Sequence, residues 1–175
     1  MVGKEIVATY KSGHRPAHSI INNLIITKAV KEDLPIILNI QKKAFLEVAK
    51  TFHLKTMPQI EQTLKSLTAE FKNHTILKAS LANTIVGSVR AYAQDDTCCI
   101  SRLVVLPEYQ NRGIGKALMK EIEKHFKNVA KRYELFTGSR DQRNLCLYNQ
   151  LGYKSFKTEK LDDHISFVFM EKSVQ

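Results

Sequence analysis

The chain has 175 residues, 43% of them apolar, and carries 27 Lys and Arg against 17 Asp and Glu, a formal charge of +10. Such a length suits one domain with a core of its own, and the charge calls for an anionic partner, whether nucleic acid, a membrane surface or a small polyphosphate. No apolar run approaches the ~20 residues a membrane span needs, which argues against a membrane protein.

Residues 1–21 are polar, with Gly13, Pro16 and scattered charge but no period, and read as an N-terminal extension ahead of a domain over residues 22–175. Met1 to Ile20 lacks a continuous apolar stretch, so a cytoplasmic location is expected and a signal peptide is not. "NLIITKAV" reads as a strand, and "KEDLPIILNIQKKAFLEVAK" places Ile37, Ile40, Ala44, Phe45 and Val48 at helical spacing, with Pro35 in the first turn. Met57 to Phe71 repeats the helical signal through Ile60, Leu64, Leu67 and Phe71. "HTILKASL" and "TIVGSVRAYA" are alternating and β-branched, a hairpin with a short turn, and "TCCISRLVVL" is the next strand, ended by Pro107.

The helix Ile114 to Val129 carries Ile114, Leu118, Ile122, Phe126 and Val129 on one stripe, while Lys116, Lys120, Lys124 and Lys127 lie mostly off it as a solvated face. "RYELFTG" is a buried-type strand, "DQRNLCLYNQLG" a short helix closed by Gly152, and "YKSFKTE" with "ISFVFMEK" a final strand pair. Cys98, Cys99 and Cys146 show no CxxC spacing and no His cluster at zinc-ligand separations. They read as core thiols in a reducing compartment, and no metal is expected.

The junction "LPEYQNRGIGKALMKEIEKHF" holds the chemistry. A strand, a tight glycine turn and a helix aim unpaired backbone N–H groups at one point, where the helix dipole adds partial positive charge. Gly113 and Gly115 permit unusual dihedrals or a close ligand approach, and Arg112 and Lys116 add formal charge. A P-loop is excluded because Ala117 follows Gly115-Lys116, and a dinucleotide fingerprint because position 118 is Leu.

"LVVLPEYQNRGIGKALM" resembles motif A of the GCN5-related N-acetyltransferases (GNAT), and "YELFTGSRDQRNLCLYNQLGYKSFK" is similar to the same family's later segment. The order of elements agrees from about Asn22 to Lys172. The resemblance implies a single α/β (α+β) domain with a central, mostly antiparallel mixed sheet of about seven strands, splayed in the middle and flanked by about four helices. It implies acetyl-CoA as cosubstrate, with backbone groups of Leu103, Val104 and Val105 pairing with the pantetheine arm. The pyrophosphate would lie on the N–H groups of Asn111, Arg112, Gly113, Ile114, Gly115 and Lys116, with Gln110 supporting the turn.

Tyr148 occupies the family's general-acid position, protonating the departing CoA thiolate, with an alkaline loss of activity expected near the ordinary phenol pKa of ~10. A strand N–H at Val105 would polarise the carbonyl. Many members have Asn where this chain has Asp141 and Ala where it has Asn144, so Asn144 takes the CoA hydrogen bond in this reading. The amine-deprotonating base has no family counterpart here; Cys99, Ser101, His53, His74 and Glu47 are the candidates, or water.

The expected partners are acetyl-CoA and an amine acceptor, either a small molecule or a peptide, with a homodimer left open and no nucleic acid or membrane. An acidic pocket of Asp95, Asp96, Asp162 and Asp163 is one candidate acceptor site. The weighed alternatives are a CoA-binding regulator without catalysis and a basic nucleic-acid-binding module. The second lacks the interleaved aromatics or helix-turn-helix pattern it requires.

Overall fold

The computed structural model describes residues 23–55, 57–161 and 165–174. The N-terminal extension and the pair Asp162 and Asp163 fall outside them. Seven strands, β1 (Leu24–Lys28), β2 (Thr75–Leu81), β3 (Thr84–Gln94), β4 (Thr97–Val105), β5 (Arg132–Gly138), β6 (Lys154–Lys160) and β7 (Ser166–Ser173), form one sheet in the order β1-β2-β3-β4-β5-β7-β6. Every neighbouring pair is antiparallel except β4 and β5. The helices are α1 (Leu34–Thr51), α2 (Pro58–Glu61), α3 (Leu64–Phe71), α4 (Ile114–Phe126) and α5 (Gln142–Gln150). This is the expected mostly antiparallel, helix-flanked α/β architecture, with a single turn, α2, as the additional helix.

Two apolar layers sandwich the sheet. On one face α4 buries Ile114, Leu118, Met119, Ile122 and Phe126 against Val89, Ala91, Cys98 and Ile100. On the other, α1 buries Leu34, Ile37, Leu38, Ile40 and Ala44 against Leu67, Ile76, Ile85 and Val104. Strand β3 is therefore covered on both sides and reads as a continuous buried run from Ile85 to Ala91.

Three expectations need correction. The helix over Met57 to Phe71 is broken at Gln62, which is extended (φ −52°, ψ 132°) and buried, and Thr63 restarts the helix by accepting the Ser66 N–H at 3.1 Å. Gln62 leaves the helix because its side chain serves a polar cluster inside the fold. The next helix stops at Phe126, and Val129 is 60% exposed while Ala130 turns inward. Of the cysteines only Cys98 is buried, its thiol pushed up to about 12 by desolvation; Cys146 is exposed.

The feature that shapes the site is an interrupted ladder. β4 pairs with β5 only at Thr97, Cys98 and Cys99, although it continues to Val105 and β5 continues to Gly138. The two strands separate beyond that point, as a splayed sheet requires. A bulge in β4 accompanies the separation, where Arg102 and Leu103 together oppose Val89 and Arg102 adopts φ 52°.

Gly87 shows how tightly β4 is held on its other side. A β-carbon there would lie 2.8 Å from the Val104 carbonyl oxygen, which is backbone and cannot rotate away. We expect Gly87→Ala to cost about 1–3 kcal/mol, measured by urea denaturation. Parental stability would mean that β4 yields freely at this contact.

Candidate active site

The separated strands leave a slot. Leu103, Val104 and Val105 face β3 on one side, where Val104 and Val105 register with Ser88 and Gly87, and have no β5 partner on the other. Their outward backbone groups are the expected docking edge for an extended chain.

At the end of the slot the chain turns through Pro107–Tyr109 into α4. Asn111 (φ 59°) and Gly113 (φ 81°) both adopt left-handed backbone, and Gly113 is the helix N-cap. Among the described residues, the N–H groups of Asn111 through Lys116 have no protein acceptor; Gln110 N–H bonds Pro107 O and Ala117 N–H bonds Gly113 O on either side of them. Six successive donors at the positive end of a helix dipole form an anion cradle. Gln110 fixes it, donating from Nε2 to Val105 O at 2.9 Å and accepting at Oε1 from Arg143 of α5. Arg112 stacks over Tyr109 at 5.6 Å.

The two glycines differ. Gly113 is required by its dihedral, which is strained for any β-branched residue. At Gly115 an added β-carbon would meet only Leu147, Leu103 and Val105, at 3.7 to 4.0 Å. The protein therefore leaves room for a side chain at Gly115, and the three neighbours show β4, α4 and α5 converging there.

Helix α5 carries the remaining expected residues. Asp141 is its N-cap, accepting the Asn144 N–H at 3.0 Å and the Asn144 side-chain amide at 2.8 Å. The acidic residue that departs from the family pattern thus has a local task, and one side-chain N–H of Asn144 is committed to it. Tyr148 is buried, 6% exposed, with its ring 6.0 Å from that of Tyr153. No hydrogen bond among the described residues engages its hydroxyl. Burial pushes its phenol well above the ordinary value, and the Asp141 carboxylate adds to the rise. The alkaline limb expected near ~10 therefore moves higher.

The sheet face under α1 and α3 holds a polar cluster. Arg90, 1% exposed, donates to Glu70 at 2.6 Å, to Gln62 at 3.2 Å and to Gln41, while Gln62 also donates to Glu70 at 2.6 Å. His74 packs against Tyr92 with ring centroids 4.8 Å apart, and Tyr92 registers with Cys99. Burial raises the Cys99 thiol above its ordinary value, so it stays protonated at neutral pH. Of the base candidates, Cys99, Ser101 and His74 lie on or beside this face. Glu47 pairs with Lys50 on the exposed side of α1, and His53 is exposed beyond its end. Asp95 and Asp96 sit in the β3–β4 turn, at the far end of β4 from the cradle, and Asp96 pairs with Lys131.

The sequence model of the acetyltransferase (GNAT) domain matches residues 39–174. The chain belongs to the GNAT acetyltransferase family. Among curated proteins no sequence matches. Solved structures give the same fold. The ribosomal-protein-S18-alanine N-acetyltransferase from Escherichia coli aligns with TM-score 0.71 at 16% identity, over 86% of this chain and 94% of that one. The PaiA N-acetyltransferase from Thermoplasma acidophilum, in complex with coenzyme A, aligns with TM-score 0.71 at 21% identity, over 86% and 98%. YncA, a putative acetyltransferase from Salmonella typhimurium with acetyl-CoA, aligns with TM-score 0.68 at 17% identity, over 88% and 95%.

For this GNAT chain the sequence reading missed Arg143, the Arg90 cluster and the Arg102 bulge. A signal existed for Arg90, a charge in the middle of an otherwise core-like strand, which demands buried partners. No helix among the described residues is long and apolar enough to cross a membrane, and no three of their His, Cys, Asp or Glu side chains gather as metal ligands.

The Asp141 cap is testable by itself. Asp141→Ala should lower stability by about 0.5–2 kcal/mol, read by urea denaturation, and Asp141→Asn should restore most of it. Equal losses in both variants would mean that the carboxylate charge, and not the cap, is what matters.

Proposed function

We propose that this chain is an acetyl-CoA-dependent N-acetyltransferase that moves the acetyl group directly to a primary amine within a ternary complex, without an acetyl-enzyme. The observation that carries the reading is the run of six unpartnered N–H groups from Asn111 to Lys116, opening beside an unpaired strand edge. A long ligand with a polyanionic end and an amide-bearing arm matches both parts. Acetyl-CoA supplies the activated acetyl group as a thioester. Its use also favours a cytoplasmic location.

In this reading the N–H groups of residues 111–116 hold the pyrophosphate, with Arg112 and Lys116 adding charge at the rim. Leu103, Val104 and Val105 pair with the pantetheine amides, and a backbone N–H at the Val105 end of β4 polarises the thioester carbonyl. Asn144, on the first turn of α5, keeps its side-chain carbonyl and second N–H for the cosubstrate. Tyr148 holds its proton through the neutral range, because burial disfavours the phenolate, and donates it to the leaving thiolate. Direct transfer is favoured over an acyl-cysteine on β4 because Cys98 is buried and burial raises the thiols of both Cys98 and Cys99. The amine must arrive neutral, and the open side of the slot lies on the sheet face that carries Cys99, Ser101 and Tyr92.

Gly115→Ala tests the cradle without disturbing the fold. The methyl group fits its protein neighbours and Ala favours the helix over Gly, so thermal stability should hold or rise. CoA affinity should fall roughly 10–100-fold, the worth of one charged hydrogen bond, measured by isothermal titration. A folded variant that binds CoA like the parent removes the cradle from the mechanism.

Tyr148→Phe keeps the ring and removes the proton. With chemistry limiting, kcat should drop about 10²–10⁴-fold while CoA affinity stays within a fewfold. The sign of the pKa shift sets the pH profile: a phenol raised above ~10 stays competent as a donor up to and beyond that pH, so parental activity should show no acid-group limb below it. Parental kcat in the Phe variant would assign protonation to water.

A further inference from the structure

The proposed function leaves the acceptor undefined, and Arg102 narrows it. This arginine sits at the β4 bulge with φ 52°, beside the slot where the acetyl group would lie. Its Nε is buried with no hydrogen-bond partner, and no carboxylate among the described residues forms an ion pair with it. Glu70 is the acid within its electrostatic reach, and Glu70 already accepts from Arg90 at 2.6 Å and from Gln62 at 2.6 Å. Two guanidinium groups therefore face one committed carboxylate, a surplus of one positive charge. Glu134, further along this face, is taken by Arg132. Burying an unpaired cation is costly, and burial depresses the Arg102 pKa. The side chain nonetheless stays partly exposed, so the missing partner can enter from solvent.

The opposite wall is apolar. Cys99 registers with Glu134, which places Phe136, two residues on, on the same face of β5 as Cys99 and Ser101 are on β4. Phe136 is 46% exposed, and its ring rests against Phe167 and Phe169, each with centroids 5.3 Å away. One wall of the open slot thus offers an uncommitted guanidinium and the other an exposed aromatic platform.

Building on the N-acetyltransferase reading, we propose that the acceptor is a small amine bearing a carboxylate and an apolar side chain, its carboxylate paired with Arg102 and its apolar part on Phe136. A single uncommitted guanidinium matches a unit negative charge in a planar, two-oxygen group, the geometry a guanidinium fork grips best. A polyamine, by contrast, would meet the unpaired cation without an anion to offer it.

The test compares acceptor pairs that differ only in the carboxylate, such as L-phenylalanine with phenethylamine and L-leucine with isopentylamine, using the full chain, acetyl-CoA and detection of released thiol. The carboxylate member should win by about tenfold or more in kcat/KM. Arg102→Gln should raise its KM by a similar factor and collapse the ratio between pair members, Arg102→Lys should recover part of it, and CoA affinity should stay within twofold in both. Should Arg102→Gln fail to fold, the Lys variant and the pair ratio of the unaltered enzyme decide. Equal use of both members, or a ratio that survives in Arg102→Gln, overturns the inference while leaving the acetyltransferase intact. Failure of the unaltered chain to bind CoA overturns the function itself, and this inference with it.

Discussion

The loss of pairing between β4 and β5 after Cys99 is the constraint on which the site depends. A sheet gains by completing its ladder, because backbone donors and acceptors withdrawn from water must find partners. Here the ladder stops while both strands continue, and Leu103 to Val105 are left without β5 partners, with the Val105 carbonyl taken by Gln110 Nε2. The bulge at Arg102 makes the break persistent: an extra residue on β4 increases its local twist and turns it from β5. β3 holds β4 in that path, with Gly87 so close to Val104 that not even a methyl group fits. The slot is thus set by contacts within the sheet itself.

The second fixed point is Arg90. A guanidinium at 1% exposure is tolerated because Glu70, Gln62 and Gln41 surround it, and those partners come from α3, the break before it and α1. The cluster therefore ties the irregular helical layer to the central strand at one spot. Desolvation lowers the Arg90 pKa and the Glu70 charge opposes that effect. Removing one partner strands the other, whereas exchanging the whole set for apolar side chains would be far less costly. Such a network is a poor source of stability but specifies which side of α3 faces the sheet.

These two features mark where the sequence could be read and where it could not. Strands and helices were legible where period and burial coincide, as in α4, whose Ile114, Leu118, Ile122 and Phe126 stripe is buried as expected. The glycine turn with its unpartnered N–H groups was legible because its logic is local: a strand end, two glycines and a helix start within a dozen residues. The break at Gln62 was not, since the pull on that side chain comes from Arg90, 28 residues away. Neither was the Arg102 bulge, because a register shift depends on the partner strand and leaves alternation in "CCISRLVV" only one residue out of step. Cys146 misled for a related reason: residue type favours burial, but its position on α5 puts it on the exposed face.

The overall charge of +10 invited an explanation by basic side chains, and the structure relocates that argument. The α4 lysines Lys116, Lys120 and Lys124, and Lys127 just past its end, are exposed, and Lys124 leans on Glu121 at 3.6 Å. Charges so placed are screened by salt and act over a Debye length of about 8 Å at physiological ionic strength. The N–H groups of residues 111–116 are fixed by the backbone, have no protein acceptor and lie at the start of α4, where an anion is favoured. Recognition of the phosphates in the proposed complex therefore falls to peptide groups, with the lysines raising only the local concentration of an anionic ligand. Side-chain chemistry in the proposed complex is left to residues outside the turn, Tyr148 in the layer that α4 packs on and Arg102 beside Arg90 and Glu70 in the layer of α1 and α3.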